Sequence, residues 1–201
     1  MSYGFKPNPS APDYNQPPPP YQQTSQSPSS PYGGNQRPVD LNDAFRQIKA
    51  KYEIGADFGD KLQMLSGYKI VFIFDDSGSM NTTLQDSPLN QPNSLKATRW
   101  DELKYFANIS VEIASIFDSN GCDVYFLNKP PVKGVNLANM AQLLNVFNTP
   151  PSGFTPLTHV LSQVLNENQN LVKNERKLLV IIVTDGQPTD ERGNVAIQTF
   201  R

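Results

Sequence analysis

Residues Ile70-Val71-Phe72-Ile73-Phe74 form an unbroken apolar run that ends at once in Asp75-Asp76-Ser77-Gly78-Ser79. The run is β-branched and aromatic, and too short for a core helix. It therefore predicts a buried central strand, covered on both faces as parallel strands are. The polar residues after Phe74 cannot be core. Asp75, Ser77 and Ser79 alternate with Asp76 and Gly78, so an extended chain points one carboxylate and two hydroxyls to the same side. Hard oxygen donors of this kind suit Mg²⁺, Mn²⁺ or Ca²⁺. Asp76 falls at an intervening position, where it either faces solvent or adds negative potential to the cluster.

A second apolar run, Leu178-Leu179-Val180-Ile181-Ile182-Val183, ends in Thr184-Asp185-Gly186. Between the two runs, 122–127 reads as a strand and 132–135 as a short edge strand. Thr98 with Asp101 has capping-box spacing and opens a long helix to about Asp118, with Leu103, Phe106, Ala107, Ser110, Ala114 and Phe117 inward. Residues 136–147 read as a helix with Leu137, Met140, Leu144 and Phe147 in phase. Pro156 suits a helix start, because its missing N–H is an orphan there, and that helix runs to about Asn168. A final helix is expected near Asp190. Such alternation predicts an α/β fold: a doubly wound, Rossmann-like, mostly parallel sheet with helices on both faces. Ligands in such sheets sit beyond the carboxyl ends of the strands, where the winding reverses. Asp75 and Asp185 end the two most apolar strands, so both fall at that edge.

Asp75-x-Ser77-x-Ser79 at the end of an apolar first strand resembles the metal-ion-dependent adhesion site of von Willebrand factor A domains. A Thr and a second Asp, both far along the chain, complete the site in that family. Gly153-Phe154-Thr155-Pro156-Leu157 matches the loop Thr, and Asp185 after the second strand matches the second acid. The resemblance implies a Mg²⁺ or Mn²⁺ site made of Asp75, Ser77, Ser79, Thr155 and Asp185. It implies direct ligation by the Ser77 and Ser79 hydroxyls, and ligation by Thr155 directly or through water. Asp75 and Asp185 would act mostly through water and by charge. With neutral hydroxyls as direct ligands the ion stays electrophilic, and a partner protein's Asp or Glu fills its open position. The expected function is a divalent-metal-dependent protein-binding module.

The resemblance covers about 67–201. Domains of the family continue for further strands and a closing helix, whereas this chain stops at Arg201, inside the segment that reads as the helix after Asp185. A truncated chain, a natural short form and a partner chain that completes the sheet are three accounts of this, and all leave the domain C-terminally incomplete here.

Residues 1–38 contain ten prolines and no Leu, Ile or Val. Such a segment cannot bury enough apolar surface to offset its ordering entropy, so it reads as a disordered tail. Within it, Pro18-Pro19-Pro20-Tyr21 resembles the PPxY ligand of WW domains. Pro-rich tails also generate PPPY by chance, and that reading is the stronger. The alternative function built on the motif is an adaptor that recruits a WW-domain protein while the folded part serves as scaffold. Residues 39–66 read as a helical lead-in that packs on the domain. Asp40 would cap its first helix, Leu41, Phe45, Ile48 and Tyr52 recur at helical spacing, and Phe58, Leu62 and Leu65 share a face. The polar loop 81–96 lies at the rim of the site and is a candidate for setting which partner fits.

A net charge of −2 gives no reason to expect nucleic acid or an anionic membrane as partner. With no apolar signal run and no apolar stretch of membrane-spanning length, the expected address is cytoplasmic. Enzyme readings find little. Aspartyl-phosphate phosphatases need a second acid two residues after the first, and that position is Ser77. His159 is the only histidine, no Gly-x-Ser-x-Gly elbow exists, and Cys122 opens a buried strand. No phosphate-binding glycine loop appears, so a non-enzymatic role is expected.

Overall fold

A computed structural model of the chain describes residues 41–118, 120–174, 177–190 and 192–196. All of these belong to one compact unit, Pro38–Arg201. Pro18, Pro19, Pro20, Tyr21 and the expected cap Asp40 lie outside the described residues. The element order is α1 Leu41–Lys51, α2 Ala56–Gln63, β1 Tyr68–Phe74, α3 Arg99–Phe117, β2 Cys122–Phe126, β3 Val132–Val135, α4 Met140–Val146, α5 Leu157–Glu167 and β4 Lys177–Val183.

The sheet order is β3-β2-β1-β4. β1 runs parallel to β4 from Tyr68 opposite Lys177 to Phe74 opposite Val183. It also runs parallel to β2, from Val71 opposite Asp123 to Phe74 opposite Phe126, while β3 is antiparallel to β2. The chain thus builds outward from β1 on one side through β2, then returns to the other side as β4. That reversal makes the end of β1 the switch point of the sheet.

β1 is buried on both faces because both faces are covered. Ile70, Phe72 and Phe74 pack with Trp100, Leu103, Ala107, Val111 and Ala114 of α3 and Leu143 of α4. Val71 and Ile73 pack with Tyr125 of β2 and with Leu157, Val160 and Val164 of α5. An aromatic cluster ties the first layer together: Trp100 lies 4.4 Å from Phe147, and Phe126 lies 6.1 Å from Phe74. Ile73 is fully buried, so Ile73→Val is expected to cost about 0.5–1.5 kcal/mol, measurable by denaturant unfolding.

Several local expectations shift. β4 is only half-buried and Ile182 is exposed, because among the described residues β1 is its only strand partner. The 136–147 helix starts at Met140. Asn136 and Asn139 instead close a turn, with the Asn136 N–H donating to Asn139 Oδ1 at 2.7 Å. Leu137 is left outside the helix and exposed, while Leu143 is buried and Met140 and Phe147 pack in the core as expected. On α3 the buried line is Trp100, Leu103, Ala107, Val111 and Ala114, leaving Phe106 at the margin. Both helices of the lead-in form. Phe45 and Ile48 are buried, Phe45 meets the Phe117 ring edge-on at 5.6 Å, and Tyr52 and Lys51 both donate to Glu112. Phe58 is exposed. Among the described residues at 190 and 192–196, no helix forms. Asp190 accepts from the backbone N–H groups of Arg192 and Asn194, and Thr189 bridges to Val195. Those bonds hold a compact turn. Among the described residues, no helix is long and apolar enough to cross a membrane.

Candidate metal site

The ladder between β1 and β4 runs one residue past the strand, with the Asp75 N–H donating to Val183 O at 2.9 Å. Asp75 then folds back on its own turn. Its Oδ1 accepts the Ser77 N–H at 2.9 Å, and its Oδ2 accepts the Thr184 hydroxyl at 2.6 Å. Both oxygens of this buried carboxylate are therefore engaged, one by its own loop and one by the end of β4. A single helical turn, Gly78–Asn81, comes next. It lets two serines separated by one residue face each other.

The Ser77 and Ser79 hydroxyl oxygens lie 3.0 Å apart. Ser79 Oγ donates to Asp185 Oδ1 at 2.8 Å. A short chain of oxygens thus joins the ends of β1 and β4, across residues 106 apart in sequence. Ser77 is buried and Ser79 exposed, so the cluster opens outward. The other Asp185 oxygen is paired with the Arg99 guanidinium.

Thr155 is brought to the same edge by backbone bonds. The Gly78 N–H donates to Gly153 O at 3.0 Å, and the Ser152 N–H donates to Asp76 O at 2.8 Å. The Asn81 side chain donates to Pro151 O at 2.8 Å. Gly153 is required here. Its φ is +94°, and a Cβ would sit 2.4 Å from Asn128 Oδ1. On the other side, Thr189 clamps Thr155 twice: its hydroxyl accepts the Thr155 N–H at 2.9 Å, and its own N–H donates to Thr155 O at 2.8 Å. Thr155 is buried. Among the described residues, no hydrogen bond joins its hydroxyl to either serine.

Asp76 does not take the solvent-facing place, one of its two expected positions. It faces neither solvent nor the hydroxyl cluster. The side chain is fully buried and points the opposite way from Asp75, as alternation requires. There it accepts the Asn128 N–H at 2.7 Å, the Asn128 side-chain amide at 3.2 Å and Lys129 Nζ at 3.2 Å. Asn128 Nδ2 also donates to Phe154 O at 2.9 Å. Asp76 thus pins the turn after β2 to the Thr155 loop.

The loop 81–96 is tied down. Thr83 bridges to Thr98, and the Leu84 N–H donates to Ala97 O at 2.8 Å. Asn90 bonds Leu84 O, Gln85 O and the Ala97 N–H. This frame ends in the complete Thr98–Asp101 capping box, which sets Arg99 at the start of α3.

Five residues carry no mark in the sequence: Arg99, Thr184, Thr189, Asn128 and Lys129. They act on the site from separate stretches of chain, Asn128 and Lys129 sharing one, so no spacing rule singles them out. Thr184 alone has a faint signal, as a hydroxyl at a buried strand end beside Asp185.

The donor set fits a hard divalent ion. It gathers hydroxyls and carboxylates at one edge, and contains no thiolate or imidazole. Among the described residues, no group of three or more His, Cys, Asp or Glu is placed to hold a metal ion. Cys122 is buried, its Sγ–H donates to Val135 O at 3.5 Å, and burial pushes the thiol up to about 12. It therefore stays protonated at neutral pH. Native protein is expected to leave Cys122 unlabelled by an aromatic disulfide reagent at pH 7, and guanidinium to release one reactive thiol.

No family model, curated protein or solved structure matches this chain. The functional reading therefore rests on the residues and their geometry.

Proposed function

We propose that the chain is a divalent-metal-dependent protein-binding module of the von Willebrand factor A type, capturing an Asp or Glu side chain of a partner protein. The observation that carries this reading is the oxygen chain Ser77–Ser79–Asp185 at the switch point of the sheet, with hydroxyl spacings of 3.0 and 2.8 Å. Bound Mg²⁺ or Mn²⁺ would supply an electrophilic centre for the partner's carboxylate. Ser77 and Ser79 present neutral hydroxyls to it. Asp75 supplies negative charge from below and, through the Ser77 N–H, fixes the turn that aims the serines. Asp185 supplies the second charge from β4, and the Thr189 clamp holds Thr155 at the rim. Neutral ligands backed by charges at one remove leave the ion attractive to an external carboxylate.

Mn²⁺ titrated into the full chain, read by water-proton relaxation, tests this. The expected result is an enhancement that EDTA reverses, that excess glutarate lowers by displacing bound water, and that Ser79→Ala abolishes. No enhancement in the wild type, or an equal one in Ser79→Ala, would overturn the reading.

A further inference from the structure

Asp185 is shared between two partners. Its Oδ1 accepts the Ser79 hydroxyl, while the Arg99 guanidinium takes Oδ2. Arg99 is held ready for this by its backbone. It is the first residue of α3 after the Thr98 cap, and its N–H donates to Thr82 O at 3.0 Å. The side chain is 38% exposed, against 11% for Asp185, so the cation is more solvated than the acid. A cavity of about 360 Å³, lined by Arg99, Glu102, Phe106 and Asp185 among others, lies beside the pair. Glu102 stands three residues on from Arg99, within reach along one helix face. The guanidinium thus has space and a second acid to turn to.

We propose that Arg99 is the internal counter-cation of the hydroxyl cluster, pairing with Asp185 in the metal-free protein and giving it up when a divalent ion binds. This rests on the metal-site reading proposed for the same cluster. A guanidinium and a divalent ion drawn to one carboxylate repel each other, and the interaction is strong where solvent is thin. The divalent ion, with twice the charge, prevails. Arg99 therefore sets the metal concentration at which the site loads, and keeps Asp185 from standing unpaired below it.

The coupling is reciprocal, which makes it measurable from both ends. Full-length wild type and Arg99→Gln are titrated with MgCl₂ or MnCl₂ by calorimetry, then melted in EDTA and in saturating metal. The expected affinity of Arg99→Gln is on the order of 5–10-fold tighter than wild type. Its melting temperature is expected to be lower than wild type in EDTA and equal to it at saturation. If the variant binds metal no more tightly, or its melting deficit persists at saturation, Arg99 is a permanent strut and the proposal is overturned while the metal site stands. A wild type that binds no metal would overturn the site reading itself, and this inference with it.

Discussion

Asp76→Ala is expected to cost about 3–5 kcal/mol of folding stability, the range for removing one partner of a buried ion pair. The carboxylate is 0% exposed and takes three donors, from Asn128 and Lys129. Its removal strands Lys129, whose side chain is 14% exposed, and leaves the Asn128 N–H without its acceptor. Lys129 also lies 4.8 Å from the Trp100 ring centroid, a cation–π contact that favours its staying there. A domain has only about 5–15 kcal/mol in total, so the loss is a large share. Urea unfolding measures it. The double change Asp76→Ala with Lys129→Met should recover much of the loss, because it removes the stranded charge as well. A double variant as unstable as the single one would show that the ion pair is not the cause.

Asp75→Asn is expected to weaken Mg²⁺ or Mn²⁺ binding by about 10–100-fold, the usual cost of altering a group that supports a metal's ligands. Asp75 meets its partners with both oxygens. An amide keeps the shape and still accepts the Ser77 N–H, while its NH₂ faces the Thr184 hydroxyl, which can accept. What disappears is the negative charge. Stability should therefore change far less than affinity, and calorimetric titration beside a thermal melt separates the two. Equal losses in both would mean that Asp75 is a structural acid only.

The contrast between these neighbouring aspartates shows where the sequence is readable. Strand β1 was legible because five consecutive apolar residues can be satisfied only by cover on both sides. Asp75 and Asp185 were legible as strand-end acids, and Thr98–Asp101 as a cap, because those rules depend on nearest neighbours. Asp76 was not legible. Alternation put it opposite Asp75, but its meaning depends on Lys129, delivered by β2 more than fifty residues later. Arg99 escaped for the same reason, since its partner follows β4, 86 residues later. The 136–147 helix starts late, at Met140, because Asn side chains offer the backbone a local turn that competes with helix. The turn that Asp190 makes with Arg192 and Asn194 obeys the same chemistry, with Asp190 taking backbone N–H groups that a helix would have used.

Thermal unfolding of the full chain, with EDTA and with millimolar Mg²⁺ or Mn²⁺, for wild type and Ser77→Ala, tests the central claim most directly. Ser77 is the buried hydroxyl of the cluster, and its loss removes one ligand while leaving the Asp75 turn intact. A ligand that binds only the native state stabilises it by about 2.7 kcal/mol at a hundredfold excess over Kd. For a domain of this size that is roughly 5–10 °C. The expected result is a rise of that order in wild type and none in Ser77→Ala. A wild-type melt indifferent to metal, or an equal rise in the variant, would contradict the account.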